Sequence, residues 1–186
     1  MKFEKVSKYA TDEEVKMPTR ATAGSAAYDF YVAEDMFVPP LEQHTMTMLK
    51  DGLGVPADNI IDLDKMAEIT KRTYAKPTLI STGVKCKLDQ DCYLKLVVRS
   101  STPLKYWLLC ANGEGIIDSD YYNNADNEGE IFVQLINLSP FTIHLKKGDR
   151  VAQGIIERYE VTEDDAANGI RMGGFGSTNA EIPIST

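Results

Sequence analysis

In the stretch Asn112, Gly113, Glu114, Gly115, Ile116, Ile117, Asp118, Ser119, Asp120, Tyr121, an apolar pair ends in a carboxylate. That order sets the acid at the end of a strand, where it can accept a proton from a bound water and orient the oxygen for attack. Asp-Ser-Asp is equally good turn chemistry, so both readings stand at this point. Arg99, Ser100 and Ser101 close another strand-like run, and a guanidinium beside two hydroxyls suits phosphate oxygens. Gly148, Asp149, Arg150, Val151, Ala152 and Gln153 form a similar polar-to-apolar junction. Taken singly, each of these is equally a strand end or a structural ion pair. Further on stand Arg171, Met172, Gly173, Gly174, Phe175, Gly176, Ser177 and Thr178. Adjacent glycines let backbone N–H groups approach phosphate closely, although the lysine of a P-loop is missing. Arg171 supplies positive charge, and Phe175 offers a face on which a base can stack. A last segment, ATAGSAAYDF from Ala21 to Phe30, reads as a tight turn that runs into Tyr28 and Asp29.

The elements that must position these groups read as strands. β-Branched and aromatic residues recur between turn residues at Ala27 to Ala33, Thr78 to Leu88, Tyr93 to Arg99, Ile131 to Leu138 and Val151 to Tyr159. This is the pattern of an all-β sandwich or barrel. Lys146, Lys147, Gly148 and Asp149 are read as a hairpin turn between two such strands. One stretch departs from the pattern: Leu63, Met66 and Ile69 recur at three-residue spacing between Asn59 and Lys76, with Asp58 or Asp62 as N-cap and Pro77 just beyond. It is expected to be one helix within an insertion, Gly52 to Lys76. The resulting division is a β domain over 1–160, with its insertion at 52–76, and a glycine-rich arm over 161–186 that stays mobile until something orders it.

Composition narrows the function classes. With 186 residues and 43% hydrophobic content the chain supports one ordinary core, and no run approaches a membrane span or a secretory signal, so a cytoplasmic protein is expected. The formal charge of −8 argues against direct nucleic-acid binding, which needs clustered Lys and Arg. Cys86, Cys92 and Cys110 show no metal-ligand spacing and are expected to be reduced strand residues.

Taken together and in this order, AxxGSAAYD, RSS, NGxGIIDSDY, GDRVAQ and GGFGST resemble the motifs of the trimeric dUTPase family, from about Arg20 to Thr178 without the insertion. The resemblance implies a jelly-roll β-barrel and a homotrimer whose active sites are shared among subunits, the arm of one closing over another. It implies hydrolysis of dUTP to dUMP and pyrophosphate with Mg²⁺, which keeps uracil out of DNA and supplies dUMP for dTMP synthesis. Asp118 then corresponds to the carboxylate that aims the water at the α-phosphorus, and Tyr121 to the ring that packs on the deoxyribose and excludes a 2′-hydroxyl. Asn112 and the backbone of a hairpin at Ile116, Ile117 and Asp118, with Phe132 on the returning strand, correspond to the readers of uracil. Arg99, Ser100, Ser101 and Gln153 correspond to phosphate ligands, Arg171 to the γ-phosphate ligand, and Phe175, with Gly176 and Ser177, to the lid over the base. Asp29 corresponds to the aspartate that holds water ligands of the Mg²⁺.

Three departures stand out. Ala27 replaces the glycine usual in the first motif, extra residues follow Tyr121 where Tyr-Arg-Gly is usual, and Arg171 stands four residues before Phe175 instead of five. The elongated form with an insertion resembles dUTPases of some Gram-positive bacteria and their phages, which places the protein in a bacterial cell. Phage relatives imply a second reading, a dUTP-dependent regulator that engages a protein partner through 52–76. A dCTP deaminase, which shares an RSS-like motif, needs a glutamate as acid/base where this sequence has Asp118 and Tyr121.

Overall fold

Along Cys92–Val98, Cys92, Leu94 and Leu96 are buried while Tyr93, Lys95 and Val97 are only partly so, the period of two that one core-facing side of a strand requires. The computed structural model describes residues 1–42, 66, 76–171 and 173–174. Among them are twelve strands: β1 (Lys2–Lys5), β2 (Thr19–Arg20), β3 (Tyr28–Tyr31), β4 (Met36–Val38), β5 (Thr78–Ser81), β6 (Val84–Lys87), β7 (Cys92–Val98), β8 (Leu108–Cys110), β9 (Gly115–Ile117), β10 (Phe132–Asn137), β11 (Ile143–Leu145) and β12 (Arg150–Arg158). They form small sheets in the orders β1-β6, β5-β10-β8, β11-β4 and β2-β3-β12-β7-β9. Every strand pairing is antiparallel, and the all-β, jelly-roll-like architecture expected from the sequence is present.

One core holds the sheets together. Phe30, Ile80, Leu94, Leu96, Leu108, Ile131, Val133 and Leu135 belong to a single buried cluster with Val38 and Val151. Each large apolar side chain removed from water in this way contributes about 1.5–3 kcal/mol. The five-stranded sheet sets the positions that matter for chemistry: Asp29 lies opposite Gln153, and Gln153 opposite Val97, so Arg99 emerges just past the end of β7 beside them. On the other edge of β7, β9 pairs Ile117 with Leu94 and Gly115 with Leu96.

Four expectations change. Thr78 to Leu88 is two strands, broken at Gly83, whose φ of +68° is hard for an L side chain and whose added Cβ would stand 2.9 Å from Tyr9 Cδ2. The turn at Lys146 to Asp149 is real, with Asp149 N–H donating to the Lys146 carbonyl at 2.9 Å. It is not a hairpin, because β11 pairs with β4 while β12 pairs with β3 and β7. Arg99 to Ser101 leads into a short helix, α1 (Ser101–Tyr106), which ends at Trp107 in the left-handed region with φ 55°. Finally, β9 pairs with β7 and not with β10, so Phe132 is not on the return strand of a hairpin.

Of the expected insertion, Met66 is described and is helical, Lys76 is described, and 52–65 and 67–75 lie outside the described residues. Ala27 does not take a positive φ, so alanine in place of glycine costs nothing there. All three cysteines are free, with Cys86 and Cys92 buried. Among the described residues, no helix is long and apolar enough to cross a membrane.

A close approach of backbone to core supplies a stability test. A Cβ at Gly154 on β12 would stand 2.7 Å from Phe30 Cε2 and 2.9 Å from Leu94 Cδ1, both inside the packed core. Gly154→Ala is expected to destabilise the fold by about 1–3 kcal/mol, read as a lower denaturant midpoint at matched protein concentration.

Candidate active site

β9 ends at Ile117, and Asp118, with φ −75° and ψ 159°, caps the 3₁₀ turn Ser119–Tyr121. The Tyr121 N–H donates to the Asp118 carbonyl at 3.1 Å, a tight turn that places carboxylate and ring on one cleft. That cleft, about 200 Å³, is lined by Asn112, Ile116, Ile117, Asp118, Tyr121, Phe132 and Arg171 from the sequence-derived set, and also by Gly115, Gln134 and Gly174.

Asp118 keeps 48% of its side chain exposed, and Arg171 Nη2 lies 2.5 Å from its Oδ2. Arg171 Nε lies 2.6 Å from Asp120 Oδ1, so one guanidinium bridges two carboxylates of the same turn. Burial pushes the Asp118 pKa above the ordinary aspartate value; the Arg171 charge opposes that rise and the Asp120 charge adds to it. Tyr121 is 7% exposed. Its hydroxyl donates to the Glu130 carbonyl at 3.0 Å and accepts from Asn127 Nδ2 at 2.7 Å. Burial holds this phenol above its usual pKa, so it is neutral at physiological pH. Gly174 lies against the same ring: a Cβ there would stand 2.8 Å from Tyr121 Cε2. The Asn112 amide is oriented by Cys110, whose Sγ–H donates to Asn112 Oδ1 at 2.8 Å.

Arg171 apart, the phosphate-type residues lie elsewhere on the chain. Asp29, only 8% exposed, sits between Arg99 Nε at 3.0 Å from Oδ1 and Arg150 Nη1 at 3.3 Å from Oδ2. A second cleft of about 270 Å³ is lined by Arg99, Ser101, Tyr106, His144, Asp149 and Arg150, among others, and shares no lining residue with the first. Gln153 lies beside Asp29 in the sheet register, and Ser100, at the N-cap of α1, lines neither cleft. Phe175, Gly176 and Ser177 lie outside the described residues. A single chain therefore unites the water-aiming and base-reading candidates with Arg171, but keeps them apart from Arg99, Ser101 and Arg150.

Several contributors were not singled out from the sequence. Gln134 stands two residues after Phe132 on β10 and shares its face, which strand periodicity would have revealed. Asp120 and Arg150 stood inside the quoted segments but acquire their partners only in the folded chain. Asn127 gave no signal, because its contact with Tyr121 depends on how the intervening loop closes. Among the described residues, no grouping of three or more His, Cys, Asp and Glu could hold a metal ion. Asp29, with both oxygens engaged by arginines, is not arranged for direct coordination of a metal ion.

The family model described as dUTPase matches residues 52–179. The deoxyuridine 5'-triphosphate nucleotidohydrolase of Lactococcus lactis is 34% identical over 180 residues, covering 96% of this chain and 97% of that protein. A crystal structure of dUTPase from Streptococcus mutans superposes with a TM-score of 0.65 at 32% identity, covering 87% of this chain and 98% of that one. A dUTPase of phage phi11 of S. aureus, in which coordination of a structural Mg(II) ion has been described, shares the fold at 16% identity, with a TM-score of 0.57 and coverage of 90% of this chain and 96% of that one. With a family match over 52–179 and a relative matched along nearly its whole length, the chain belongs to the dUTPase family.

Proposed function

We propose that this chain hydrolyses dUTP to dUMP and pyrophosphate, with Asp118 aiming a water at the α-phosphorus. The observation that carries this reading is the single cleft in which Asp118 shares walls with Asn112, Tyr121 and Phe132. A carboxylate at a strand end accepts a hydrogen bond from water and turns its lone pair toward the phosphorus. The proton shifts to the carboxylate as the O–P bond forms, and pyrophosphate leaves as the opposite P–O bond breaks. Asn112 and the backbone of Ile116 and Ile117 read the uracil edge beside Phe132, and the Tyr121 ring lies where a 2′-hydroxyl would otherwise fit. Arg99, Ser100, Ser101 and Gln153 bind phosphate oxygens.

In this structure Arg171 engages Asp118 and Asp120 of its own chain. In the shared-site assembly Arg171 would exchange those carboxylates for the γ-phosphate at a neighbouring subunit's site, leaving Asp118 free to hold water. The arm residues Phe175, Gly176 and Ser177 would then close over the base. Asp29 would hold a Mg²⁺ ion through its water ligands, and the ion would supply charge neutralisation to the triphosphate. Separation of the two candidate clusters on one chain supports a homotrimer with shared sites. So does the exposure of Leu104, Tyr106, Trp107 and Phe141, large apolar groups that an interface would cover. The domain division at 160 and 161, with the terminal segment acting as the closing arm, belongs to the same reading.

Pyrophosphate release measured with dUTP, dCTP, dTTP and UTP is expected to show turnover of dUTP far above the others, and Asp118→Ala to lower it about 10²–10⁴-fold. Equal turnover of the four substrates would sink the specificity reading. Because Asp118 must be ionised, the acid limb of kcat/KM lies above the ordinary aspartate range. Arg171→Ala, which removes the charge favouring the carboxylate, moves that limb to higher pH. The stability linkage has the matching sign: the raised pKa contributes stability below the ordinary aspartate value and loses it as pH rises through the folded value. If sites are shared, mixed Arg171→Ala and Asp118→Ala subunits recover part of the activity that each lacks alone, whereas strictly single-chain sites recover none.

A further inference from the structure

Residues 122–129 connect the turn that carries Tyr121 to the approach of β10, and they are braced from within. Asn124, itself buried, donates from Nδ2 to the Tyr121 carbonyl and to Asn127 Oδ1, both at 2.8 Å. Its Oδ1 accepts from the N–H groups of Asp126 and Asn127 at 3.0 and 3.2 Å, and Asn127 Oδ1 accepts from Gly129 N–H at 3.0 Å. Left-handed backbone at Asn123, Glu128 and Gly129 closes the loop, and at Gly129 a Cβ would stand 2.5 Å from the Tyr121 carbonyl oxygen. From outside, the Glu128 carboxylate accepts from Ser7 N–H at 3.1 Å and from Ser7 Oγ at 2.8 Å, and Lys85 Nζ donates to Asn123 Oδ1 at 2.5 Å. These bonds fix where the Asn127 amide points. Its Nδ2 donates to the Tyr121 hydroxyl at 2.7 Å, and that hydroxyl donates onward to the Glu130 carbonyl at 3.0 Å.

A tyrosine ring turns freely about the axis through its hydroxyl, so bonds at the hydroxyl do not stop ring flips. They pin the far end of the side chain and thereby its tilt, and the tilt decides how far the ring edge stands into the cleft. An apolar wall that can yield discriminates weakly against a substrate with one additional hydroxyl. We infer that Asn127 is a positioning residue for sugar discrimination, holding Tyr121 rigid so that a nucleoside triphosphate with a 2′-hydroxyl is refused. The inference rests on the proposed packing of Tyr121 against the deoxyribose. Elongation of this loop is then part of the selectivity device: it replaces the usual short connection with one that delivers an amide to the phenol.

The test is kcat/KM for dUTP, UTP and dCTP in Asn127→Ala and Asn127→Asp, alone and in a Tyr121→Phe background. Asn127→Asp keeps the oxygen that braces the loop and loses the donor to Tyr121, so it reports on the bond even where the alanine variant folds poorly. Both variants are expected to lower the dUTP/UTP ratio by about 10-fold, the worth of one buried hydrogen bond, while the dUTP/dCTP ratio holds. With the hydroxyl gone in Tyr121→Phe, the Asn127 changes are expected to add nothing further. Two results would overturn the inference: an unchanged dUTP/UTP ratio in variants of Asn127 when Tyr121→Ala lowers it, or a parallel loss of both ratios, which marks a general structural role. If Tyr121→Ala itself leaves the dUTP/UTP ratio intact, the reading of Tyr121 fails and takes the inference with it.

Discussion

Strand β7 has to satisfy its backbone N–H and C=O groups on both edges, and the rest of the site depends on which partners it takes. On one edge it pairs with β9, which ends at Ile117 and delivers Asp118. On the other it pairs with β12, which carries Gln153 and in turn holds β3 with Asp29. Each buried backbone group left without a partner would cost more than a made bond returns, so both registers are strongly fixed. A slip of one residue on either side would turn the polar positions into the core. The two groups of candidate residues are therefore tied to a single strand and yet held on opposite sides of it.

Charge is distributed to serve this frame. The chain carries a formal −8, but the positive groups near the candidate site are each matched to particular carboxylates. Asp29 is nearly buried, and two guanidiniums offset the cost of removing its charge from water. Arg171 with Asp118 and Asp120 is a more exposed arrangement, and hydration lowers the cost of breaking it. Under the proposed function, the outer pairing of Arg171 is therefore the less costly one to exchange for a ligand's phosphate.

Much of this was legible in the sequence because the chemistry sits in contiguous words. Asn112, Ile116, Ile117, Asp118 and Tyr121 are close in the chain, and the strand and turn that hold them are local, so residues that the family resemblance grouped do meet in one cleft. The β12 run was recoverable because its β-branched and apolar residues mark Val151 to Tyr159, and the strand spans Arg150–Arg158. What stayed hidden depends on tertiary closure. The break at Gly83 lies inside an otherwise uniform apolar run and is imposed by Tyr9 and Val15 packing above it. Pairing of β9 with β7 instead of β10 is a topological fact that no local pattern encodes. Likewise, α1 follows RSS with Pro103 in its first turn, where the missing N–H costs no helical bond, a signal that the strand-like run before it outweighed.

The loop contacts extend the site toward the beginning of the chain. Glu128 is bonded to Ser7, and the Tyr122 hydroxyl to Glu4 on β1. In the interior, the Tyr9 hydroxyl lies 3.3 Å from Ser81 Oγ, which donates to Glu130, the residue whose carbonyl receives the Tyr121 proton. The opening residues are thus a buttress for the cleft of Asp118 and Tyr121, although they carry none of the motifs. Re-engineering that end of the polypeptide would disturb the bracing of the 122–129 loop together with the buried packing of Val6, Tyr9 and Val15.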